Sequence, residues 1–348
     1  MSLTPNTRRN ILITLLLAIS LGGYFAIEPI KGFLLPAVSK DIVDPFICIP
    51  TGASFEDVVR ILKRGGFIKD EVNFRWLAEQ MNYKKDKMRT GRFQVQSGWT
   101  NRQLIQHLRT GEQAPVKVVL TYERLPEDVA GKVARFIEAD SMSLIRIFRD
   151  NNFLRQYNLT NETLLTVFIP NSYEMYWNTD AAGFVAKMVK EHDVFWSKNN
   201  RAEKAKALGM STKDVYILGT IVERETNALS EKPTIAGVYL NRLKIDMKLQ
   251  ADPTCVFATK DFATHRVTEW HTTFDSPYNT YVYKGLPPGP ISMASIPSLD
   301  AVLNYEHHNY LYFCAKPDES GTHAFAASFA AHKVNAERFQ AYVRLRGK

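Results

Sequence analysis

The sequence predicts an α+β protein in which a small α+β module precedes a larger, helix-rich α+β domain. Three observations lead to this prediction. After an apolar N-terminal segment, short β-branched or aromatic runs alternate with helical runs over residues 44–111. From about residue 140 onward helical and aromatic segments predominate, and the last third alternates loops with short strands. The chain has 348 residues, enough for two or three compact modules that each bury a core.

Composition and charge exclude several classes of protein. Lys and Arg number 44 and Asp and Glu number 36, which gives a formal charge of +8. With 45% hydrophobic residues, the chain is neither a disordered acidic tail nor a fibrous repeat. The positive charge suits anionic partners such as nucleic acid, lipid head groups or carboxylate-rich polymers. Cys48, Cys255 and Cys314 form no paired framework and no CxxC motif, so neither a disulfide scaffold nor a zinc knuckle is indicated.

An uncharged segment at residues 10–27 predicts a membrane-spanning helix, since 18 residues reach about 27 Å. Arg8 and Arg9 precede it, so the positive-inside rule predicts a cytoplasmic tail at 1–10 and a single-pass anchor at 11–30 of the cytoplasmic (inner) membrane. The bulk of the chain would then lie on the extracytoplasmic or periplasmic side. A cleaved signal peptide ending near Ala18 is the competing interpretation. Export argues against nucleic acid as a partner and favours a cell wall or membrane surface.

The small module is predicted at residues 44–111, behind a short stalk at 31–43. A strand at 46–49 precedes a helix that Ser54 and Asp57 begin as a capping box. A second strand at 91–95 precedes another such box at Thr100 and Gln103. A strand–turn–helix unit of about 20 residues therefore recurs, too irregularly for a solenoid.

A helical run at residues 215–226 carries two glutamates, and Ser211 with Asp214 forms a capping box at its start. At roughly 100° per residue, Glu225 falls in the middle of the apolar stripe, whereas Glu223 faces another direction. Burial at the C-terminal end of a helix raises the pKa of a carboxyl group. A carboxyl that keeps its proton near neutral pH can act as a general acid. The pattern therefore favours Glu225 as an acid, with a solvated charged helix end as the alternative.

Five polar and aromatic motifs occur in a fixed order: Ile221-Val222-Glu223-Arg224-Glu225-Thr226, Asn241-Arg242-Leu243, Leu249-Gln250-Ala251-Asp252-Pro253-Thr254, Tyr278-Asn279-Thr280-Tyr281 and Gly285-Leu286-Pro287-Pro288-Gly289. Together they resemble the YceG-like family, over nearly the whole chain. Residues 44–111 likewise resemble the LysM-like region found before such catalytic domains, although plain α+β packing is an alternative. Arg224, Ala251 and the Asn171-Ser172 pair depart from the usual pattern, and none of these departures involves Glu225.

The resemblance implies a lytic transglycosylase whose catalytic domain occupies residues 112–348. Such an enzyme cleaves the β-1,4 bond between N-acetylmuramic acid and N-acetylglucosamine of peptidoglycan and leaves a 1,6-anhydro end, without a cofactor. The family's catalytic glutamate corresponds to Glu225. In this family the 6-hydroxyl of the muramic residue itself acts as the nucleophile, so a second carboxylate, which ordinary glycosidases need, is not required. Endolytic cleavage of nascent glycan strands, a limit on their length and contact with peptidoglycan synthases are further implications.

The residues around Glu225 are expected to hold the glycan. Amides can donate and accept hydrogen bonds to sugars, and tyrosine rings can stack on them. The predicted substrate-binding set is Asn241, Arg242, Gln250, Asp252, Thr254, Tyr278, Asn279, Thr280 and Tyr281, with Glu223, Glu231 and His323 in supporting positions. His323 and His332 lie nine residues apart with no third ligand at metal spacing, so no metal site is predicted.

Alternatives stay open for several of these residues. Asn279 could cap a turn, Asp252 could begin an Asx-turn, and Tyr281 could belong to the core. Arg242 could pair with Glu231 or Glu223, or could neutralise a stem-peptide carboxylate. Two rival functions also stay open: a hydrolysing muramidase in which Asp252 or Glu231 activates water, and a non-catalytic scaffold that binds the wall through residues 44–111.

Overall fold

The computed structural model describes residues 13–14 and 33–346. The chain divides into two compact units, Met1–Val116 with Glu174–Thr179, and Lys117–Tyr173 with Asp180–Lys348. The predicted tail and the predicted anchor lie outside the described residues, apart from Ile13 and Thr14. No helix in the described part of the chain combines the length and the apolar character needed to cross a bilayer.

The first unit is built on an antiparallel pair of strands. Strand β1 (Phe46–Ile49) pairs with β2 (Gly91–Gln94), so the two predicted strand–turn–helix units lie side by side. The unit's helices are α1 (Phe55–Arg64), α2 (Glu71–Gln80) and α3 (Asn101–Thr110). Both predicted capping boxes are confirmed, at Ser54 with Asp57 and at Thr100 with Gln103. Part of the predicted stalk also folds into this unit, since Val38 is fully buried and donates its backbone N–H to the Trp99 carbonyl.

The rest of the chain is mostly helical. Two further two-stranded sheets pair β3 (Val116–Leu120) with β4 (Asn171–Met175) and β5 (Tyr312–Ala315) with β6 (His323–Ala326). The helices are α4 (Pro126–Val133), α5 (Ser141–Phe148), α6 (Asn151–Arg155), α7 (Ala181–Ser197), α8 (Arg201–Ala207), α9 (Thr212–Glu225), α10 (Lys232–Lys244), α11 (Asp252–Thr259), α12 (Glu269–Thr273), α13 (Ile296–Leu303) and α14 (Phe329–Arg346). The helix-rich α+β prediction is thus confirmed.

Helix α9 is the central element of the second unit. Its N-terminus is the predicted capping box of Ser211 and Asp214, and every residue from Val215 to Val222 is buried. Helices α10 and α13 pack against it. At Gly219 the approach of α13 is so close that a Cβ would lie 2.7 Å from the Leu299 side chain. Because its middle is enclosed, α9 is accessible only at its two ends, and Glu223, Arg224 and Glu225 form its accessible C-terminal end.

Helix α10 is fixed to the chain that leads into β5. A Cβ at Gly237 would lie 2.6 Å from both the Glu306 carbonyl oxygen and the His308 ring, so any larger residue here would have to displace these atoms. One turn later, Asn241 donates from Nδ2 to the carbonyls of His308 (2.7 Å) and Tyr310 (3.1 Å). The position of α10 therefore depends on main-chain contacts along one of its faces.

Gly237→Ala should destabilise the protein, although alanine is the better helix former. The new methyl group would press on a carbonyl oxygen, and such overpacking costs about 1–3 kcal/mol. Gly131, in α4, has open space around its missing Cβ, so Gly131→Ala should stabilise by up to about 1 kcal/mol. Denaturant unfolding of both variants measures the difference. Equal effects of the two substitutions would show that the close approach at Gly237 is absent in solution.

Candidate active site

Glu225, the last residue of α9, is half-buried at the point where the helix reaches the surface. The Tyr239 hydroxyl, on α10, donates a hydrogen bond of 2.5 Å to its Oε1. Burial raises the pKa of Glu225 from its ordinary 4.5 to about 7, and the Asp252 carboxylate acts in the same direction. The Tyr239 hydrogen bond and the Arg242 charge oppose this rise without cancelling it. The carboxyl is therefore part protonated at neutral pH, as the helical periodicity predicts.

A cleft of about 240 Å³ lies against this carboxyl group. It combines charged, aromatic and aliphatic side chains, and the Arg124 guanidinium lies 4.3 Å from the centre of the Phe262 ring. The lining residues are Arg124, Arg224, Glu225, Asp252, Pro253, Val256, Phe257, Phe262, Thr264 and Ile291. Such a surface offers both stacking and hydrogen bonding, which are the two ways in which proteins hold sugars.

Glu223 has the opposite electrostatic environment. Its carboxylate pairs with the buried Lys232 ammonium at 2.9 Å and accepts hydrogen bonds from the hydroxyls of Ser295 and Ser298. Burial alone would raise the pKa of Glu223, but the hydrogen bonds from Ser295, Ser298 and Lys232 outweigh it and hold the pKa below its ordinary value. Glu223 therefore stays ionised, and two carboxyls two residues apart differ in protonation at neutral pH.

A second cavity, of about 560 Å³, begins on the Glu223 side of Arg224. Lys232 and Ser295, which contact the Glu223 carboxylate, contribute to the wall of this cavity. Its lining residues are Tyr122, Glu223, Arg224, Asn227, Leu229, Lys232, Ser292, Met293, Ser295 and Pro297. Arg224 lines both cavities, so they flank the same side chain at the end of α9.

Asp252, at the start of α11, is the second carboxylate that lines the cleft of Glu225. It is exposed, and its Oδ1 accepts a hydrogen bond of 2.5 Å from the Tyr281 hydroxyl. Burial, followed by the hydrogen bond to Asp252, raises the pKa of Tyr281 well above its ordinary value. Tyr281 is therefore a hydrogen-bond donor that orients Asp252.

The predicted residues Thr254, on α11, and Thr280, in the loop that follows Asn279, are buried and in contact. Their hydroxyl oxygens lie 2.7 Å apart, and the Thr280 hydroxyl also accepts the backbone N–H of Ala251 at 3.0 Å. Gln250 donates its backbone N–H to the Thr280 carbonyl, adopts a left-handed φ of 47° and leaves its side chain exposed. The two threonines thus shape the loop, and Gln250 is the residue of this group that solvent or a ligand can reach.

Asn279 is fully buried, and its side chain is occupied by the backbone. Nδ2 donates to the carbonyls of His271 (3.0 Å) and Phe274 (2.8 Å), while Oδ1 accepts the Tyr281 N–H at 3.1 Å. Tyr278 packs its ring 4.8 Å from that of Phe257, behind the cleft wall, and burial raises its pKa to about 12. Asn279 fits the turn-capping alternative, and Tyr278 supports an aromatic residue that lines the cleft.

The remaining predicted residues hold α10 and the last strands in place. The Arg242 guanidinium donates to the carbonyls of Leu311 (2.6 Å) and Leu249 (2.5 Å); among the described residues no ion pair joins it to Glu231 or Glu223. Glu231 instead accepts the His323 backbone N–H at 2.8 Å and contacts its Nδ1 at 2.9 Å. Pairing of Arg242 with either glutamate, one of the expectations above, is therefore wrong, because backbone carbonyls occupy the guanidinium.

Several contributors to the site were not identified from the sequence. Tyr239 had a signal, since a tyrosine inside a buried helical stripe needs a partner for its hydroxyl. Lys232 and Ser298 had none, because the contact joins residues 66 apart, and Arg124 comes from a loop far from the motifs. In the described part of the chain, no group of three or more His, Cys, Asp or Glu side chains could hold a metal ion.

Comparison with known proteins agrees with this architecture. Proteins named endolytic murein transglycosylase, from Streptococcus pneumoniae strain D39 and Bacillus subtilis, are 25% and 26% identical to this chain. The alignments cover 88% of the chain and 60% of the streptococcal protein, and 92% and 91% for the Bacillus pair. The chain thus spans less than two thirds of the streptococcal relative.

A crystal structure of a yceG-like protein from Listeria monocytogenes matches with a TM-score of 0.56 and 25% identity, over 83% of this chain and 97% of that one. The model of the YceG-like family matches residues 47–338, which include every residue discussed at the cleft. The chain therefore belongs to the YceG-like family.

Proposed function

We propose that this protein is an endolytic peptidoglycan lytic transglycosylase that cleaves the β-1,4 bond between N-acetylmuramic acid and N-acetylglucosamine. One observation carries the proposal. The Glu225 carboxyl, which has a pKa of about 7, faces a cleft, while Lys232 keeps the neighbouring Glu223 ionised. The names of the streptococcal and Bacillus relatives support the same activity.

The first step is protonation of the leaving oxygen. Glu225 donates its proton to the glycosidic oxygen as the bond from that oxygen to C1 of the muramic residue breaks. Because Tyr239 donates to Oε1, the other carboxyl oxygen is the one free to carry the transferred proton. Positive charge develops on the sugar, and the carboxylates of Glu225 and Asp252 stabilise it.

The second step closes the anhydro ring. The 6-hydroxyl of the same muramic residue attacks C1, and the Glu225 carboxylate accepts its proton, so the enzyme returns to its starting state. The hydroxyl is part of the substrate, and its high effective concentration replaces an activated water. One titrating carboxyl therefore serves as acid and then as base, while Glu223 remains ionised and keeps the end of α9 in place.

Internal cleavage requires sugars on both sides of the scissile bond. Arg224 lines both the cleft that contains Glu225 and the second cavity, so the two spaces adjoin the same side chain. A glycan that crosses Arg224 would place units in both spaces, with the scissile bond beside Glu225 in the first. This arrangement supports cutting within a strand over cutting at its end.

The cellular setting completes the proposal. The uncharged segment after Arg8 and Arg9 would anchor the chain in the cytoplasmic membrane, with the cleft on the extracytoplasmic or periplasmic side. Residues 44–111 would act as a LysM-like module that holds glycan. An enzyme tethered there reaches nascent strands, limits their length and lies close to peptidoglycan synthases. The apolar segment and the family's layout support these points.

A hydrolysing muramidase is the second candidate, because Asp252 is an exposed carboxylate in the same cleft as Glu225. In that mechanism Asp252 would activate a water molecule on the far side of the sugar. The two reactions give different products, since the anhydro end is one water lighter than the hydrolytic end. Mass analysis of the digested glycan separates them.

Glu225→Gln should lower cleavage of purified, uncrosslinked glycan by about 100-fold or more, since general acid–base catalysis contributes about 10²–10⁴-fold. Wild-type digests of the full-length protein should contain 1,6-anhydro ends. Hydrolytic ends would favour the muramidase, and no cleavage by the wild type would favour the non-catalytic scaffold. Full activity of the variant would exclude Glu225 as the catalytic acid.

The folding control for this variant has its own expected result. A carboxyl whose pKa is higher in the folded protein than in the unfolded chain destabilises the fold as the pH rises from about 4.5 through 7. Glutamine does not titrate, so Glu225→Gln should match the wild-type Tm at pH 4 and exceed it at pH 8. A lower Tm at pH 8 would contradict the burial of this carboxyl.

The pH dependence of cleavage should move in opposite directions in two variants. The acid must be protonated, so wild-type kcat/KM should fall as the pH rises through about 7. Tyr239→Phe removes a hydrogen bond that lowers the pKa of Glu225, so the descending limb should shift to higher pH. Asp252→Asn removes a charge that raises it, so the limb should shift to lower pH. Shifts of the same sign in both variants would exclude Glu225 as the titrating acid.

A further inference from the structure

A separate cavity of about 200 Å³ lies in the first unit and shares no lining residue with the cleft of Glu225. Four of its six lining side chains are cationic. The lining residues are Tyr83, Lys85, Lys87, Met88, Arg89 and Arg109. The cavity exceeds the ~30 Å³ that one water molecule occupies, so a group of several atoms fits inside it.

No acidic side chain of the described residues lines this cavity. Arg89 donates to the Gly111 carbonyl and lies over the Phe93 ring at 5.1 Å, and Arg109 donates to the Met81 carbonyl at 2.6 Å. Among the residues that the structure describes, none of the four cations belongs to an ion pair. The two arginines are thus held by neutral carbonyl groups, which fix their positions and leave their charge available.

The buried side chain of Tyr83 is a second, independent observation that points to a ligand. Its side chain is 98% buried, since only 2% of its surface is exposed, yet its hydroxyl has no hydrogen-bond partner within the described residues. Burial raises the pKa of Tyr83 well above its ordinary 10, so the hydroxyl keeps its proton and can donate. Buried hydroxyls nearly always have a partner, and Tyr83 is one of the residues that line this cavity.

We propose that this cavity binds a phosphate group through the cations Lys85, Lys87, Arg89 and Arg109 and the buried hydroxyl of Tyr83. Every polar side chain in the lining is a donor, which suits a ligand that presents only acceptor oxygens. A phosphate has more acceptor oxygens than a carboxylate and can meet this many donors together. The group could belong to a phospholipid head group or to a soluble phosphate ester. The proposal does not depend on the catalytic function.

Titration calorimetry of the full-length protein in a non-ionic detergent, with glycerol 1-phosphate as the probe, tests the proposal. The wild type should bind, and Lys85→Gln/Lys87→Gln should weaken binding by about tenfold or more. The control Lys40→Gln/Lys69→Gln removes the same charge from exposed positions outside the cavity and should bind as the wild type does. No binding by the wild type, or an equal loss in both double variants, would overturn the proposal.

Tyr83→Phe is the sharper variant, because it removes only the unpartnered hydroxyl. Its phosphate affinity should fall, while its Tm without ligand should stay the same or rise, since no hydrogen bond is lost in the free protein. A lower Tm with unchanged affinity would show that the hydroxyl has a partner within the protein and would contradict the proposal.

Two further probes identify the class of ligand and its source. Sodium acetate should bind far more weakly than glycerol 1-phosphate, and equal affinity would refute a phosphate site. Dihexanoyl phosphatidylglycerol, below its micelle concentration, should bind more tightly than the soluble ester if a lipid head group is the source. Equal affinity would assign the site to soluble phosphate esters, and in either case the binding should be lost in Lys85→Gln/Lys87→Gln.

Discussion

The hydrogen bond between Tyr239 and Glu225 is the contact on which the candidate site depends. It joins the end of α9 to the middle of α10, and both of these helices are held in the core of the second unit. The carboxyl is desolvated on the side that faces α10 and open to the cleft on the other. The hydrogen bond from Tyr239 fixes the orientation of the carboxyl and favours its ionised form. The effect of burial is larger, so the pKa of Glu225 is raised.

A short stretch of helix thereby supports two carboxyls with different tasks. Glu223 receives an ammonium and two hydroxyl groups, whereas Glu225 receives one phenol. Burial raises the pKa of both carboxyls, so the difference between them comes from the number of hydrogen-bond donors that each one receives. Environments that give two neighbouring carboxyls different pKa values are typical of enzymes that transfer protons.

The sequence predicted those features that depend on local pattern. Capping boxes located the starts of α1, α3 and α9, and helical periodicity located Glu225 on the buried stripe. Residue type was a weaker guide to role. Asn279, Thr254 and Thr280 are residue types that often bind ligands, but here their side chains make hydrogen bonds within the protein. Tyr239, Lys232 and Arg124 reach the site through tertiary contacts, which periodicity does not report.

The way in which α10 is fastened has a consequence for variation among relatives. The side chains of Asn241 and Arg242 donate hydrogen bonds to backbone carbonyls of residues 308–311. Every amino acid supplies such a carbonyl. Side chains of that segment that do not contact α10 can therefore vary without displacing Tyr239. The His308 ring, which contacts the Thr234 carbonyl, and the Glu306 carboxylate, which accepts from the Thr234 hydroxyl, are part of the attachment. Evolutionary constraint is therefore expected at Asn241, Arg242 and Gly237 and at the side chains of Glu306 and His308, while the other positions of the segment can diversify.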